Sequence, residues 1–302
     1  MLRLGASLPT SAPAGSSLPN LLLDDYDGGV RAYSMRKLKK GYSGHIARFR
    51  SNATNEEVDV AFDDDGVFSL ASKVYNASGS TVDGTTVEAW RVANSDFFVY
   101  LAKWYDQSSA GVDLTQPTAG SQSTVYTFMW NVSNGKQMTH FSGSTNLIVD
   151  STGLNLGNLS VYNVSENSNL SFATYQWPWG LSTNVSNYFG NLVEGGYSKF
   201  YYAAQYSISQ AVTAQAEQQI ESFHAGTSAA PAMYRNNSAG SGTGTRVDSA
   251  TTANNDNIGA YDNGATLYGW TGGVQEFIVF DTDTISDRVA ITTNINDYYG
   301  TY

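Results

Sequence analysis

From Thr124 to the end of the chain, short runs of β-branched and aromatic residues alternate with Asn-Gly, Ser-Gly and Thr-Gly pairs. The spacing is roughly 8–12 residues, which only sandwiches and barrels of antiparallel strands adopt. The runs are Val125–Trp130, Gln137–Phe141, Asn146–Val149, Leu159–Val164 and Leu170–Trp177. A long aromatic strand is expected over Tyr197–Ile208, and Gly273–Phe280 is apolar enough for a central buried strand. The fold class is therefore all-β: an antiparallel β-sandwich with a few short helices and an extended N-terminal arm.

Composition agrees and narrows the function classes. The 302 residues include 20 Tyr and 29 Gly, and only 14% are charged. Such a chain suits sheets with one wet face and has enough length for a large core. The net charge of −11 argues against nonspecific nucleic-acid binding, which needs Lys and Arg to displace counterions. The absence of cysteine excludes disulfides and thiolate metal sites. No apolar run reaches 18 residues, so no helical membrane span is expected. Arg3 is present but no apolar segment follows it, so the expectation is a protein that leaves its cell by lysis.

In chain order, residues 1–20 read as an extended arm with Pro9, Pro13 and Pro19. Leu2, Leu4, Leu8 and Leu18 are its apolar anchors. An arm this poor in hydrophobes needs another chain to order it, so it is expected to dock on other proteins. Residues 21–122 are expected to form the N-terminal part of the sandwich, and 123–302 its main lectin-like part. Asp27 is expected to cap a short helix over Val30–Lys40 that closes at Gly41. Seven of the 16 basic residues fall between 31 and 50; Arg48 and Arg50 share a strand face and can pair with Glu56, Glu57 and Asp59. His45–Arg50 and Val58–Phe62 form a hairpin, and Phe68–Tyr75 a short helix followed by polar loop to Thr86. Asp63-Asp64-Asp65 is a turn. A structural calcium is the alternative there, but adjacent acids lack the alternate spacing that converges on one ion.

The run Phe97–Lys103 reads as a buried strand that ends in Trp104-Tyr105-Asp106-Gln107-Ser108. The two aromatics need packing, and Asp106 and Gln107 can bond the turn's own backbone. Further on, Trp177-Pro-Trp179-Gly180 reads as an exposed aromatic loop. Ala211–His224 carries Val212, Ala216, Ile220 and Phe223 at helical spacing, with Gly226 to close it. Residues 236–257 read as loops or a polar hairpin. A last helix is expected over Ser286–Tyr299, with Val289, Ile291 and Ile295 inward and Gly300 at its end.

An ordered set of short segments carries a family resemblance. Tyr33-Ser-Met-Arg-Lys-Leu38, Tyr42-Ser-Gly44, Ala47-Arg-Phe-Arg50, Val58-Asp-Val-Ala-Phe62, Trp104-Tyr-Asp-Gln-Ser108 and Asp113-Leu-Thr-Gln116 follow one another. The set resembles a concanavalin A-like (laminin-G-like) jelly-roll module of tailed-bacteriophage virion proteins. It also resembles the N-terminal part of the catalytic domain of family 54 α-L-arabinofuranosidases. The resemblance covers about residues 21–122. It implies a concanavalin A-like sandwich, and either a virion role or sugar hydrolysis. The sequence departs from the enzyme pattern in having no cysteines and no Gly-x-Met-Glu strand of the kind that holds the family's nucleophile.

For chemistry of its own the chain offers little pattern. A zinc site or a Ser-His-Asp triad would have to be assembled from His45, His140 and His224, which lie in unrelated segments. A retaining glycosidase needs two carboxyls about 5–5.5 Å apart. Glu194 and Glu276 are the candidates, with Glu166 and Asp150 behind them. Sugar binding needs aromatic faces, for which Trp177, Trp179, Tyr188 and Tyr197 are the candidates and Trp90 and Trp270 further ones. The expectation is a structural virion protein without enzymatic activity. It would be a tail-fibre, tail-tip or head-decoration subunit, docked by its arm and oligomeric, a trimer being common for such fibres. It would need no cofactor or metal and could bind host-surface glycans. A secreted or virion-borne glycoside hydrolase of arabinofuranosidase type is the alternative.

Overall fold

Val30-Arg-Ala-Tyr-Ser34 shows how the first strand forms. Tyr33 belongs to one apolar cluster and Ala32 to another, so the segment is covered on both sides. Alternation of this kind needs a strand, not the helix its basic continuation suggests. The computed structural model describes residues 21–76, 79, 81–126, 132–150, 154, 156–167, 176–184, 187–194, 197–202, 205–211, 217–226, 231–241, 255–262 and 267–302. The arm, with Leu2, Leu4, Leu8 and Leu18, lies outside them.

Helix α1 (Leu22–Asp25) leads into β1 (Gly29–Ser34), then β2 (Ala47–Ser51), β3 (Glu57–Val60), β4 (Lys73–Tyr75) and β5 (Thr81–Thr86). Helix α2 (Val87–Ala93) precedes β6 (Phe98–Trp104), β7 (Leu114–Thr115), β8 (Ser123–Tyr126), β9 (Val132–Ser133) and β10 (Lys136–Gln137). Then come β11 (Thr139–Ser142), β12 (Leu147–Asp150), β13 (Leu159–Asn167), β14 (Gln176–Asn184), β15 (Asn187–Glu194), β16 (Tyr197–Tyr202) and β17 (Gln205–Ala211). The chain continues through β18 (Gln218–Ala225), β19 (Ala232–Arg235), β20 (Ser238–Ala239), β21 (Asn255–Ile258), β22 (Ala260–Asp262) and β23 (Leu267–Gly269). It closes with β24 (Thr271–Phe280) and helix α3 (Arg288–Tyr299).

The strands stack as two antiparallel layers. In the first, β20, β19, β18, β13 and β24 are neighbours, and β1 and β11 share the far side of β24. In the second, β17, β16, β15, β14, β21 and β12 are neighbours. The layers converge on β6, which pairs with β8 along Phe98–Leu101 and with β7 at Lys103–Trp104. β8 continues into β11 of the first layer and β7 into β12 of the second. The all-β sandwich expected from the turn spacing is thus present.

Aromatic side chains fill the gap between the layers. Trp179 of β14 lies 5.1 Å from Phe223 and 5.5 Å from Phe277 of the first layer, ring centre to ring centre. Phe200 of β16 approaches Phe223 at 5.0 Å. On the first layer's other face, Ile291, Ile295 and Tyr299 of α3 pack on Tyr162, Ile220, Ile278 and Phe280. Full burial of such side chains contributes about 2 kcal/mol each. Gly300, at φ 63°, ends α3 in the left-handed conformation that favours glycine.

Several expected elements differ. Val30–Lys40 contains β1, and Asp27 caps no helix. Phe68–Tyr75 holds β4, and the expected loop before Thr86 holds β5. Within Ala211–His224, residues 218–224 are strand β18: Ile220 faces α3 while Phe223 faces the other layer. Cover on both faces of β18 let Ile220 and Phe223 imitate a helical stripe; Val212 and Ala216 lie outside the described residues. Tyr197–Ile208 is the hairpin β16–β17. In α3, Val289 is 54% exposed, because the inward stripe runs through Ile291, Thr292, Ile295 and Tyr299.

Candidate functional site

The second layer's outward face carries the most suggestive cluster. One extra residue in β14, between Gln176 and Trp179, bulges the strand against β15. The bulge turns Trp177 outward while Trp179 stays in the core. Trp177 packs on Leu192 and on Tyr261 of β22, with ring centres 4.8 Å apart. Tyr268 of β23 continues the row, stacked on Tyr261 at 6.2 Å. Two glycines make the room: a Cβ on Gly180 would lie 3.1 Å from Tyr261, and one on Gly190 would lie 3.0 Å from Trp177 and 2.8 Å from the Trp179 carbonyl.

Beside the row, Asn257 of β21 sits opposite Gly180. Its neighbours Asp256 and Ile258 face the core, so its own side chain is on the outward face. It is buried, yet its amide oxygen and nitrogen have no hydrogen-bond partner among the described residues. A buried amide left unpaired costs about 1–3 kcal/mol, so water or a ligand hydroxyl is its natural complement. Glu194 lies two residues beyond Leu192 on the same face of β15, about 7 Å along the strand. Lys199 of β16 holds its carboxylate at 2.8 Å, and Tyr197 opposite it is 47% exposed.

Several other carboxylates of the sandwich face inward or are locked in networks. Glu221 of β18 is fully buried between the layers, accepting from Asn191 at 2.6 Å with Arg235 at 3.7 Å. Burial raises its pKa. Asp256 pairs with Arg31 at 3.1 Å, and burial pushes its pKa up to about 6 against that pairing. Glu276 is not the outward acid expected of β24. It is buried beneath α3 against Arg36, with Ser34 and Tyr299 as further partners, and cannot meet a substrate. Glu166 is half-buried and its pKa is raised, first by burial. The side chains of Asp150 and Tyr188 lie outside the description.

Among the aromatic candidates, Trp177 belongs to the outward row and Tyr197 to the exposed edge. Trp177 and Trp179 are both in strand β14, not in an exposed loop. Trp177 is itself buried within that row, at 5% exposure, and Trp179, Trp90 and Trp270 are buried in the core and hold the fold. Sequence reasoning missed Asn257, Tyr261 and Tyr268; the legible signal was Asn263-Gly264, a hairpin turn pair between two aromatic runs.

Histidine does assemble with serine and acid. His224 Nε2 is 3.2 Å from Ser222 Oγ, and its Nδ1 is 3.0 Å from Ser160 Oγ and 3.7 Å from Asp283. All but Asp283 are buried, and burial lowers the His224 pKa, so this network packs the β24–α3 turn and presents no nucleophile. The Asp63 carboxylate is taken by the N–H groups of Asp65 and Val67, and no metal-binding cluster occurs among the described residues.

The segment Trp104–Gln107 is a latch. Trp104 is core. Tyr105 donates to Asp59 at 2.6 Å, beside the two-point Arg48–Asp59 pair. Burial raises the Asp59 pKa, but the hydrogen bonds from Arg48 and Tyr105 outweigh it and hold it below its usual range. Asp106 accepts from Ala32, Ser108 and Val112 backbone N–H groups and from the Ser108 hydroxyl. Gln107 accepts from Leu38 N–H and donates to the Ser34 and Arg36 carbonyls. Asp106 thus bonds its own turn as expected, while Gln107 reaches the segment after β1. Arg48 pairs with Asp59 as expected, whereas Arg50 bonds Gln122 and Asn55.

Solved structures match this architecture along most of its length. A family 54 α-L-arabinofuranosidase soaked with a cyclic sulfate inhibitor superimposes with a TM-score of 0.63 and 13% identity, over 91% of this chain and 63% of that one. An arabinofuranosidase complexed with arabinofuranosyl-α-1,2-xylobiose matches with a TM-score of 0.62 and 14% identity, over the same shares. The fold is theirs. This chain thus spans somewhat under two thirds of the length of the chains it matches. No family model matches it, and no curated protein matches it. The expectation of a protein without enzymatic activity is corrected by these matches, because the fold is that of solved glycosidases. They support the arabinofuranosidase half of the sequence resemblance at the level of fold.

Proposed function

We propose that the chain is a carbohydrate-active sandwich, a secreted or virion-borne glycoside hydrolase of arabinofuranosidase type. Its substrate lies on the outward face of the second layer. Tyr268, half-buried at the end of the row and backed by the buried Tyr261 and Trp177, is the ring that would meet the C–H groups of a furanose. Asn257 offers an unpaired amide to its hydroxyls. Glu194 is the carboxylate on this face placed as nucleophile toward the anomeric carbon, one of the two carboxyls that such hydrolysis uses, and 4-nitrophenolate leaves without needing a proton from the other. In a virion setting, residues 1–20 would dock the domain to neighbouring proteins and copies of the chain would associate. The observation that carries the reading is the buried, partnerless Asn257 amide beside a stacked aromatic row, on a fold shared with arabinofuranosidases.

The test is release of 4-nitrophenol from 4-nitrophenyl α-L-arabinofuranoside by the wild type and by Glu194→Gln. Turnover by the wild type and a loss of at least about 100-fold in the variant are expected. That loss fits removal of a group acting on the reacting centre. No turnover of this substrate or of arabinan by the wild type would overturn the reading, and full turnover by the variant would remove Glu194 from it.

A further inference from the structure

The hairpin β3–β4 opens at its tip into a pocket that the outward face of the second layer does not share. The pocket has a volume of about 390 Å³ and is lined by Ala61 through Asp65 on one side and by Ala71, Lys73 and Tyr75 on the other. That volume lies within the range of small-ligand sites, about 300–1,000 Å³.

Its walls are held rigidly. The strands stay paired up to the Ala61 N–H bond to the Lys73 carbonyl. The loop between them is pinned to the segment after β1 by Lys37 N–H to the Gly66 carbonyl and Phe68 N–H to the Met35 carbonyl, each at 2.7–2.8 Å. The Asp63 carboxylate is used inside the loop, and that bonding fixes the turn at Asp64 and Asp65. Behind the pocket, Tyr75 is backed by His45, with ring centres 5.1 Å apart, and His45 by Tyr105 at 5.9 Å. Phe62 is held edge-on by Tyr42 at 6.2 Å.

The charged groups here are unspent. Among the described residues, the Asp64 and Asp65 carboxylates and the Lys73 ammonium have neither an ion pair nor a side-chain hydrogen bond, although both signs line one cavity. Pairing them with each other would have closed it. Instead the site presents two acceptors, a three-proton donor and two anchored rings, Phe62 and Tyr75. A ring with C–H groups on its face and hydroxyls on its rim matches all five. An inorganic anion meets two carboxylates, and a purely apolar ligand would use none of the three exposed charged groups.

We infer that this pocket is a second sugar site, taking one neutral glycosyl unit of a polysaccharide whose cleavage occurs elsewhere on the domain. It rests on the proposed glycosidase reading for the identity of the polymer, but not for its geometry. Its role is to hold the polymer while the outward face works, so it acts on long substrates and is silent on short ones.

The test uses the full chain and three variants: Tyr75→Ala, Lys73→Ala, and the double variant Asp64→Ala/Asp65→Ala. Among the described residues the Lys73, Asp64 and Asp65 side chains have no ion pair or hydrogen bond, and all three are exposed, so their removal leaves the fold intact. Binding to debranched arabinan is read by affinity gel electrophoresis, and turnover of 4-nitrophenyl α-L-arabinofuranoside is read alongside. The expected result is at least a fivefold rise in the arabinan dissociation constant for each variant, with unchanged turnover of the small substrate. Equal arabinan binding by the wild type and all variants would overturn the inference, as would absence of arabinan binding by the wild type. Loss of small-substrate turnover in the wild type would instead count against the glycosidase reading and leave the binding comparison valid.

Discussion

Arg36 and Glu276, 240 positions apart in the chain, meet beneath α3 with Nε to Oε2 at 2.8 Å and Nη2 to Oε1 at 3.0 Å. The pair ties β24 to the segment after β1, and Asn294 of α3 accepts from the same guanidinium at 3.1 Å. Tyr299 donates to Glu276 from the end of the helix at 3.2 Å. Removing one partner leaves the other charge buried alone. Glu276→Ala should therefore cost about 3–5 kcal/mol in a urea unfolding curve. The double variant Arg36→Met/Glu276→Met should cost distinctly less than the sum of the single changes. Strict additivity would mean the two groups do not interact.

The Asp106 latch should behave as a unit with Gln107. Asp106→Ala strands three backbone donors and one hydroxyl, and Gln107→Ala strands the Leu38 N–H and two carbonyls. Each change should cost about 2–4 kcal/mol, since each buried polar group left unpaired costs about 1–3 kcal/mol. Hydrogen exchange should rise first at Ala32 and Leu38, whose N–H groups these side chains hold. Unchanged protection at both positions would show that the latch is not what fixes β1 against β6.

Asp256 gives a pH signature with a definite sign. Burial raises its pKa from 3.8 to about 6 in the folded chain, so the folded state takes up the proton more readily than the unfolded one. Stability from this group is complete below about pH 4 and is lost as pH rises through 6. Between pH 7 and pH 4.5 the wild type should gain about 2 kcal/mol relative to Asp256→Asn. Thermal melts of the two proteins at both pH values measure the difference. A relative loss on acidification would show instead that the Arg31 pairing outweighs burial.

The sandwich was legible because its signals are local. Asn134-Gly135 makes the tight turn of β9–β10, with φ of 50° and 71°, and Asn236-Asn237 does the same for β19–β20. The Phe97 run and Gly273–Phe280 are strands because their apolar residues are contiguous. Legibility failed where a strand is covered on both faces. In β18 all eight residues are buried, so alternation vanished and Ile220 and Phe223 imitated a helical stripe. The outward site was hidden for another reason. Trp177 looked like loop because Pro178 and Gly180 flank it, yet the bulge absorbs the proline and Gly180 admits the Tyr261 ring. Its partner Asn257 belongs to the run Asn255-Asp-Asn257, polar throughout, and only three-dimensional placement shows that Asp256 turns inward and Asn257 outward.

The glycines beneath the aromatic row supply a test of the outward face. Gly190→Ala puts a methyl against the Trp177 ring and the Trp179 carbonyl, so the row must shift. Strain of this kind costs about 1–3 kcal/mol in stability. Turnover of an arabinofuranoside should fall at least tenfold through KM, and Trp177→Ala should do the same with a larger loss of stability, about 3–5 kcal/mol, because the ring is buried. Kinetics that match the wild type in both variants would separate the row from the substrate.

The most direct measurement is a crystal structure of Glu194→Gln soaked with 4-nitrophenyl α-L-arabinofuranoside. The predicted result is a furanose ring at the Tyr268 end of the Trp177–Tyr261–Tyr268 row, with a hydroxyl within hydrogen-bond distance of the Asn257 amide and its anomeric carbon toward position 194. A furanose ordered instead at another face of the sandwich, with the row bare, would contradict the account.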